Sequence, residues 1–173
     1  PSVQPLTARL RNNHRALLDA HRAIAKAIGQ QSAITPSAEW LVDNFHVVEA
    51  QIRQIRDDLP PGYYRQLPKL ADGPFAGYPR VMGLAWAFVA HTDSRFDTHV
   101  LTCFVSAYQL EQPLTIGELW AIAITLRIVL VENLRRAADS IASARAVRQQ
   151  ARIVALGPDD DQVRSRQVVR DER

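Results

Sequence analysis

The stretch EWLVDNFHVVEAQIRQIRDDLPP, residues 39–61, decides the fold class. Its apolar residues Leu41, Phe45, Val48, Ile52, Ile55 and Leu59 are spaced 4, 3, 4, 3 and 4. That is the return period of one face of an α-helix and does not fit the alternation of a strand. Ser37 after Pro36 offers a start signal, and Pro60 and Pro61 end the run because they lack the backbone donor a further turn needs. The pattern predicts one helix of about six turns with a single apolar stripe. Glu49 and Arg53 stand on its outer face in the favourable i, i+4 order, a pair that contributes only about 0.3 kcal/mol. Packing of the stripe must therefore supply the stability.

The same period appears upstream. Over residues 6–29, Leu10, Leu17 and Ile24 form one row with Leu18 and Ile28 beside it, and Gly29 is the expected C-cap. Downstream, PPGYYRQLPKLADGPFAGYP (60–79) carries five prolines and three glycines, too many breakers for a regular element. Tyr63, Tyr64, Leu67, Phe75 and Tyr78 give this segment apolar area, so an ordered wrap over the helices is expected. Further helices are predicted over 80–92, over 98–111 and from Thr115 onward, where Glu118 three residues later completes a capping box. The apolar run LWAIAITLRIVLV (119–131) is 13 residues long and contains Arg127. A membrane span needs roughly 20 apolar residues, so this reads as a buried helix.

These elements add up to an all-α fold: a bundle of five or more helices with one long, ordered Pro/Tyr-rich loop. A helical domain is expected over 1–157, with its core at about 37–136 and its last helix at about 115–156. A charged tail follows at 158–173. Of the 173 residues, 47% are hydrophobic and 23% charged, which excludes the disordered class. The one cysteine, Cys103, cannot form an internal disulfide, and its place between Leu101 and Phe104 predicts a buried small hydrophobe in a reducing compartment. The chain opens on Pro1 without a signal-peptide pattern, as expected of a piece cut from a longer protein.

Few residues carry a chemical signature. HTDSRFDTH (91–99) brings His91, Asp93, Asp97 and His99 close in sequence, which raises the question of a metal site. Asp97, however, immediately precedes an apolar-periodic run and suits an N-cap, while Asp93 and Ser94 suit a turn. A helix-turn-helix corner accounts for them without a metal. His14 and His21 are about 10 Å apart along a helix axis, too far to share one ion. The Asp-x-Asp pattern at 159–161 lies in the charged tail with no strand before it. No phosphate-binding loop, nucleophile elbow or CxxC motif occurs. No catalytic residue and no metal ligand is therefore assigned. The net charge of +3 is carried mostly by arginine, since Lys26 and Lys69 are the only lysines. Arg145, Arg148 and Arg152 form a basic strip, but no aromatic residue follows Trp120 to stack on a base, so no nucleic acid is expected.

Tyr63, Tyr64, Arg65 and Tyr78 remain as candidate contacts to a glycan, because tyrosine faces stack on sugar rings while arginine donates hydrogen bonds. The plainer reading is a loop clasped to its own bundle. Arg80, Glu118, Arg127, Glu132 and Asn133 are polar groups on otherwise apolar helices. If buried they need partners, and mutual pairing is expected.

SAEWLVDNFHVVEAQIRQIRDDLP, YYRQLPKL, GYPRV, AHTDSRFD and PLTIGELWAIAITLRIVLVENLRR, in this order over about 37–136, resemble the N-terminal region of the bacterial cyclic β-1,2-glucan synthases. The resemblance implies a non-catalytic accessory or assembly module of a large membrane glycosyltransferase that builds β-1,2-glucan from UDP-glucose. This piece would lie on the cytoplasmic side of the bacterial inner membrane, contain no span, need no cofactor of its own, and contact the downstream transferase domain and the glucan chain. A glycan-binding module using the tyrosine loop and an independent helical metalloprotein are the alternatives.

Overall fold

The computed structural model describes residues 4–30, 34–59 and 62–156, without the side chains of residues 145, 149, 152, 153, 155 and 156. Seven helices and no strand occur among them: α1 (Leu6–Gly29), α2 (Pro36–Asp43), α3 (Phe45–Asp58), α4 (Tyr63–Gln66), α5 (Arg80–His91), α6 (Thr98–Glu111) and α7 (Ile116–Leu156). The all-α expectation holds. The charged tail lies outside the described residues.

The organising element is α7, 41 residues long and so roughly 60 Å from end to end. Its first half buries Ala121, Thr125, Leu126, Ile128, Val129, Val131 and Glu132, a band wide enough to face several helices at once. Helices α5 and α1 pack along this band, with α3 and α2 beside them. The apolar run 119–131 is accordingly a core helix, and no helix of the described residues is long and apolar enough to cross a membrane.

The apolar stripe is buried along its whole length, from Leu41 to Leu59, but it is carried by two helices rather than one. Asn44 breaks the run at φ −102°, ψ 10°, and its side-chain amide donates to the Trp40 carbonyl at 2.9 Å. A short amide side chain competing for a helix carbonyl offers the backbone an alternative to the ladder. The Val47 amide reaches the Asn44 carbonyl at 3.0 Å while that of Val48 is stretched to 3.4 Å, a local tightening toward 3₁₀ geometry. The break leaves the apolar register intact.

Four further expectations need correction. The segment 60–79, expected to hold no regular element, contains the one-turn helix α4. The N-cap of α2 is Thr35, not Ser37: Thr35 accepts from the Ala38 amide at 3.3 Å and places Pro36 at the first helical position, where its missing donor costs nothing. Gly29 is not a left-handed cap. It is the last residue of α1, and the amide of Gln30 closes the helix on the carbonyls of Lys26 and Ala27. Cys103 is exposed rather than buried, because α6 lies at the edge of the bundle and none of its residues is fully buried. Helix α6 touches the core only through half-buried side chains such as Leu101 and Phe104, the latter 5.6 Å from the Phe88 ring.

Candidate functional site

Of the polar contacts that fasten the chain around α7, four decide which side chains are free for chemistry. At the N-terminus of α7, Thr115 and Glu118 form the expected capping box. The Glu118 amide donates to the Thr115 hydroxyl at 3.2 Å, and the Glu118 carboxylate accepts from the Thr115 amide at 2.9 Å. Glu118 has no solvent exposure, and Arg80 of α5 binds it through two nitrogens at 2.9 and 2.7 Å. Burial alone would push the Glu118 carboxyl up, but the Arg80 and Thr115 hydrogen bonds outweigh it and hold it below the usual carboxylate value. The same pairing raises the Arg80 guanidinium, against the opposing effect of burial.

The second contact joins chain segments 123 residues apart: Arg9 of α1 donates through Nε and Nη2 to the two oxygens of Glu132, each at 2.6 Å. This bidentate geometry is the strong form of the pair. A third nitrogen of Arg9 donates to the Tyr78 hydroxyl at 3.2 Å, and the guanidinium carbon lies 5.3 Å from the Tyr78 ring centre. The remaining two contacts come from α4. The Tyr63 hydroxyl donates to the Gly117 carbonyl at 2.5 Å, and the Tyr64 hydroxyl is 3.0 Å from that of Thr125. Burial raises the Tyr64 phenol above its ordinary value, with the Thr125 hydrogen bond acting against it.

Mutual pairing among the five polar helix residues is thus found only for Arg80 and Glu118. Glu132 binds Arg9, Arg127 reaches Asp58 at 3.3 Å, and Asn133 donates to the Ser94 hydroxyl at 2.5 Å. Glu49, expected to pair with Arg53, instead faces His14 of α1 at 3.9 Å. In each case the partner is distant in sequence, and helical spacing carries no signal for it.

The His91–His99 segment is a corner. Asp93 and Ser94 adopt positive φ of 49° and 63°, the Asp97 carboxylate accepts from the amides of His99 and Val100 at 2.7 and 3.1 Å, and His91 is bound through Nδ1 to the Ala87 carbonyl at 2.7 Å. The His91 and Asp97 side chains are thus used locally, and the Ser94 hydroxyl is taken by Asn133. Among the described residues no three His, Cys, Asp or Glu side chains converge on one point. Cys103 and His99 approach at 3.9 Å on the exposed face of α6, too far to be a hydrogen-bonded nucleophile and base.

Of the four glycan candidates, Tyr64, Arg65 and Tyr78 line one cleft of about 650 Å³, and Tyr63 does not. The cleft lies between the start of α1, the end of α3, α4 and the short antiparallel bridge that joins Lys69 to Pro79. Arg56 and Lys69 line it too, and sequence reasoning missed both. Of the basic strip, Arg148 donates to the Ala144 carbonyl one turn back. The side chains of Arg145 and Arg152 lie outside the described set.

No protein-family model matches the chain. Over 148 residues, 86% of its length, it is 45% identical to the "Cyclic beta-(1,2)-glucan synthase NdvB" of Rhizobium meliloti (strain 1021). This chain is homologous to part of a cyclic β-(1,2)-glucan synthase. The match is longer than the stretch 37–136 on which the resemblance to the glucan synthases was first visible. It spans 5% of the length of that synthase, so nearly all of the relative lies outside what is homologous here.

Proposed function

We propose that this chain is an N-terminal helical module of a cyclic β-1,2-glucan synthase, non-catalytic itself, that braces the part of the same polypeptide which makes β-1,2-glucan from UDP-glucose on the cytoplasmic side of the inner membrane. The homology supports the parent enzyme. The observation that supports a bracing role is the outer face of α6, where Val100, Cys103, Ala107 and Leu110 form an exposed stripe at spacings of 3, 4 and 3. Just beyond, Ile116 and Trp120 stand one turn apart at the start of α7, 74% and 76% exposed. Monomeric soluble proteins rarely leave a contiguous apolar face of this kind in water. A helix that is apolar on both sides is expected where a second surface covers it.

The remainder of the synthase is the proposed occupant, because it is chemically present wherever this module is. Two measurements test the reading. The purified chain should transfer no glucose from UDP-glucose; turnover by the chain alone would overturn the non-catalytic assignment. In the intact synthase, Leu110→Ser with Trp120→Ser should lower the amount of assembled enzyme and its glucan output together. Unchanged assembly and output would remove the bracing role.

A further inference from the structure

The cleft between α1, α3, α4 and the Lys69–Pro79 bridge holds a charge arrangement that bracing does not use. Its described lining residues include three cations, Arg56, Arg65 and Lys69, and no carboxylate. Arg56 has one acidic neighbour, Asp57 at 3.9 Å, and both side chains are largely in water, where such a pair is worth little. The side chains of Arg65 and Lys69 are exposed and make no hydrogen bond or ion pair among the described residues. The walls between them are apolar, formed by Leu6, Leu59 and Tyr64. Like charges gathered on low-dielectric walls focus a positive potential into the space they enclose. The first turn of α1, which lines the same cleft, has neither a side-chain cap nor an acidic residue and adds its dipole to that potential.

The tyrosines point away from neutral sugar stacking as the main use of this space. The hydroxyl of Tyr64 is occupied by Thr125, and the ring and hydroxyl of Tyr78 are engaged by Arg9. The charged groups left to recognise a ligand are the three cations, with Gln4 and Thr7 beside them. We infer that this cleft binds a phosphate-bearing small molecule, its oxyanion held by Arg56, Arg65 and Lys69 and its organic body against Leu6, Leu59 and Tyr64. A volume of about 650 Å³ fits one such ligand, since small-molecule sites run from roughly 300 to 1,000 Å³. Planar guanidinium forks suit a phosphate, and a lysine adds a point charge. The inference does not depend on the bracing role or on which enzyme the chain belongs to.

The test titrates the full chain with three probes: inorganic pyrophosphate, glucose 1-phosphate and neutral glucose. Backbone amide shifts of Gly62, Arg65, Lys69 and Gly77 should move with both phosphates and not with glucose. Glucose 1-phosphate binding in place of pyrophosphate binding would still carry the assignment and would assign affinity to the organic body. Binding should weaken as salt is raised. Arg65→Ala with Lys69→Ala should weaken it about tenfold or more, whereas Arg22→Ala, on the far half of α1, should leave it unchanged. Both substituted side chains are exposed, so the variant should keep the parental helical signal and unfolding midpoint. Equal response to glucose would identify a neutral glycan groove and overturn the inference. So would phosphate binding insensitive to the double variant, or no response to either phosphate at millimolar concentration.

Discussion

Helices α5 and α6 follow one another in sequence and are close in length, with nine apolar residues of twelve against eight of fourteen, yet six of the twelve residues of α5 are buried and none of the fourteen of α6 is. That modest difference in composition does not account for six against none. What does is position: α5 is wedged between α7 and the segment that precedes it, where Leu70 lies so close to Gly83 that a Cβ there would meet its Cδ1 at 2.9 Å. Helix α6 is held by the corner before it and by the aromatic contact between Phe88 and Phe104. Hydrophobicity in one helix builds the core, and in its neighbour it leaves a surface to be covered.

The largest stability effects should come from the α5 side of this comparison. Glu118→Ala removes a fully buried carboxylate that both caps α7 and pairs with Arg80, leaving the partly exposed guanidinium only the Gln112 and Pro113 oxygens; the loss should cost about 3 kcal/mol, measurable by urea unfolding. The same pair sets a pH dependence. The folded Glu118 carboxyl titrates below its usual value near 4.5, so its contribution is present above that value and is lost as pH falls through the lower folded one. Glu118→Gln should therefore flatten the acid limb of the stability curve; an unchanged limb would mean that other carboxylates govern it. Met82→Ala, at a site with no exposure in the first turn of α5, should cost about 2–5 kcal/mol depending on how far the cavity collapses.

How much of this was legible beforehand follows from the range of each interaction. The stripe from Leu41 to Leu59, the limits of α6, the Thr115–Glu118 box and the Asp97 cap all rest on contacts within one or two turns, and the sequence carries them directly. The Asp97 cap also explains why the cluster at 91–99 is a corner rather than a ligand set. The break at Asn44 depends on one side chain outcompeting the ladder, to which apolar periodicity is blind. The partners of Glu132, Arg127 and Asn133 lie 123, 69 and 39 residues away, and only the packing of α1, α3 and the 91–97 corner on α7 selects them. The exposure of Cys103 is hidden in the sequence for a related reason: flanking Leu101 and Phe104 mark an apolar helix, not which of its faces meets the core. Arg56 and Lys69 escaped notice because a cleft drawn from three separate segments has no linear motif.

Between these extremes lies the corner that joins the two helices. Asp97→Ala removes the acceptor for the first-turn amides of α6, a loss typically worth about 1 kcal/mol. If α6 is held as loosely as its burial implies, that loss should appear as faster amide exchange confined to α6, with global unfolding moved less than by Met82→Ala. Exchange quickening equally in α5 would show that the two helices open as one unit and would dissolve the contrast.

The smallest effect is the most discriminating. Leu110 is 86% exposed, so Leu110→Ser should change the stability of the isolated chain by less than about 0.5 kcal/mol. The same substitution at the buried Leu84 of α5 removes a core side chain and buries a hydroxyl, and should cost several times more. Equal costs would mean that the α6 stripe is already covered in the isolated chain, as by self-association, and a concentration-dependent sedimentation profile would report that directly. A neutral Leu110→Ser in the isolated chain, together with lost assembly in the intact synthase, would assign the apolar face of α6 to contacts made outside this domain.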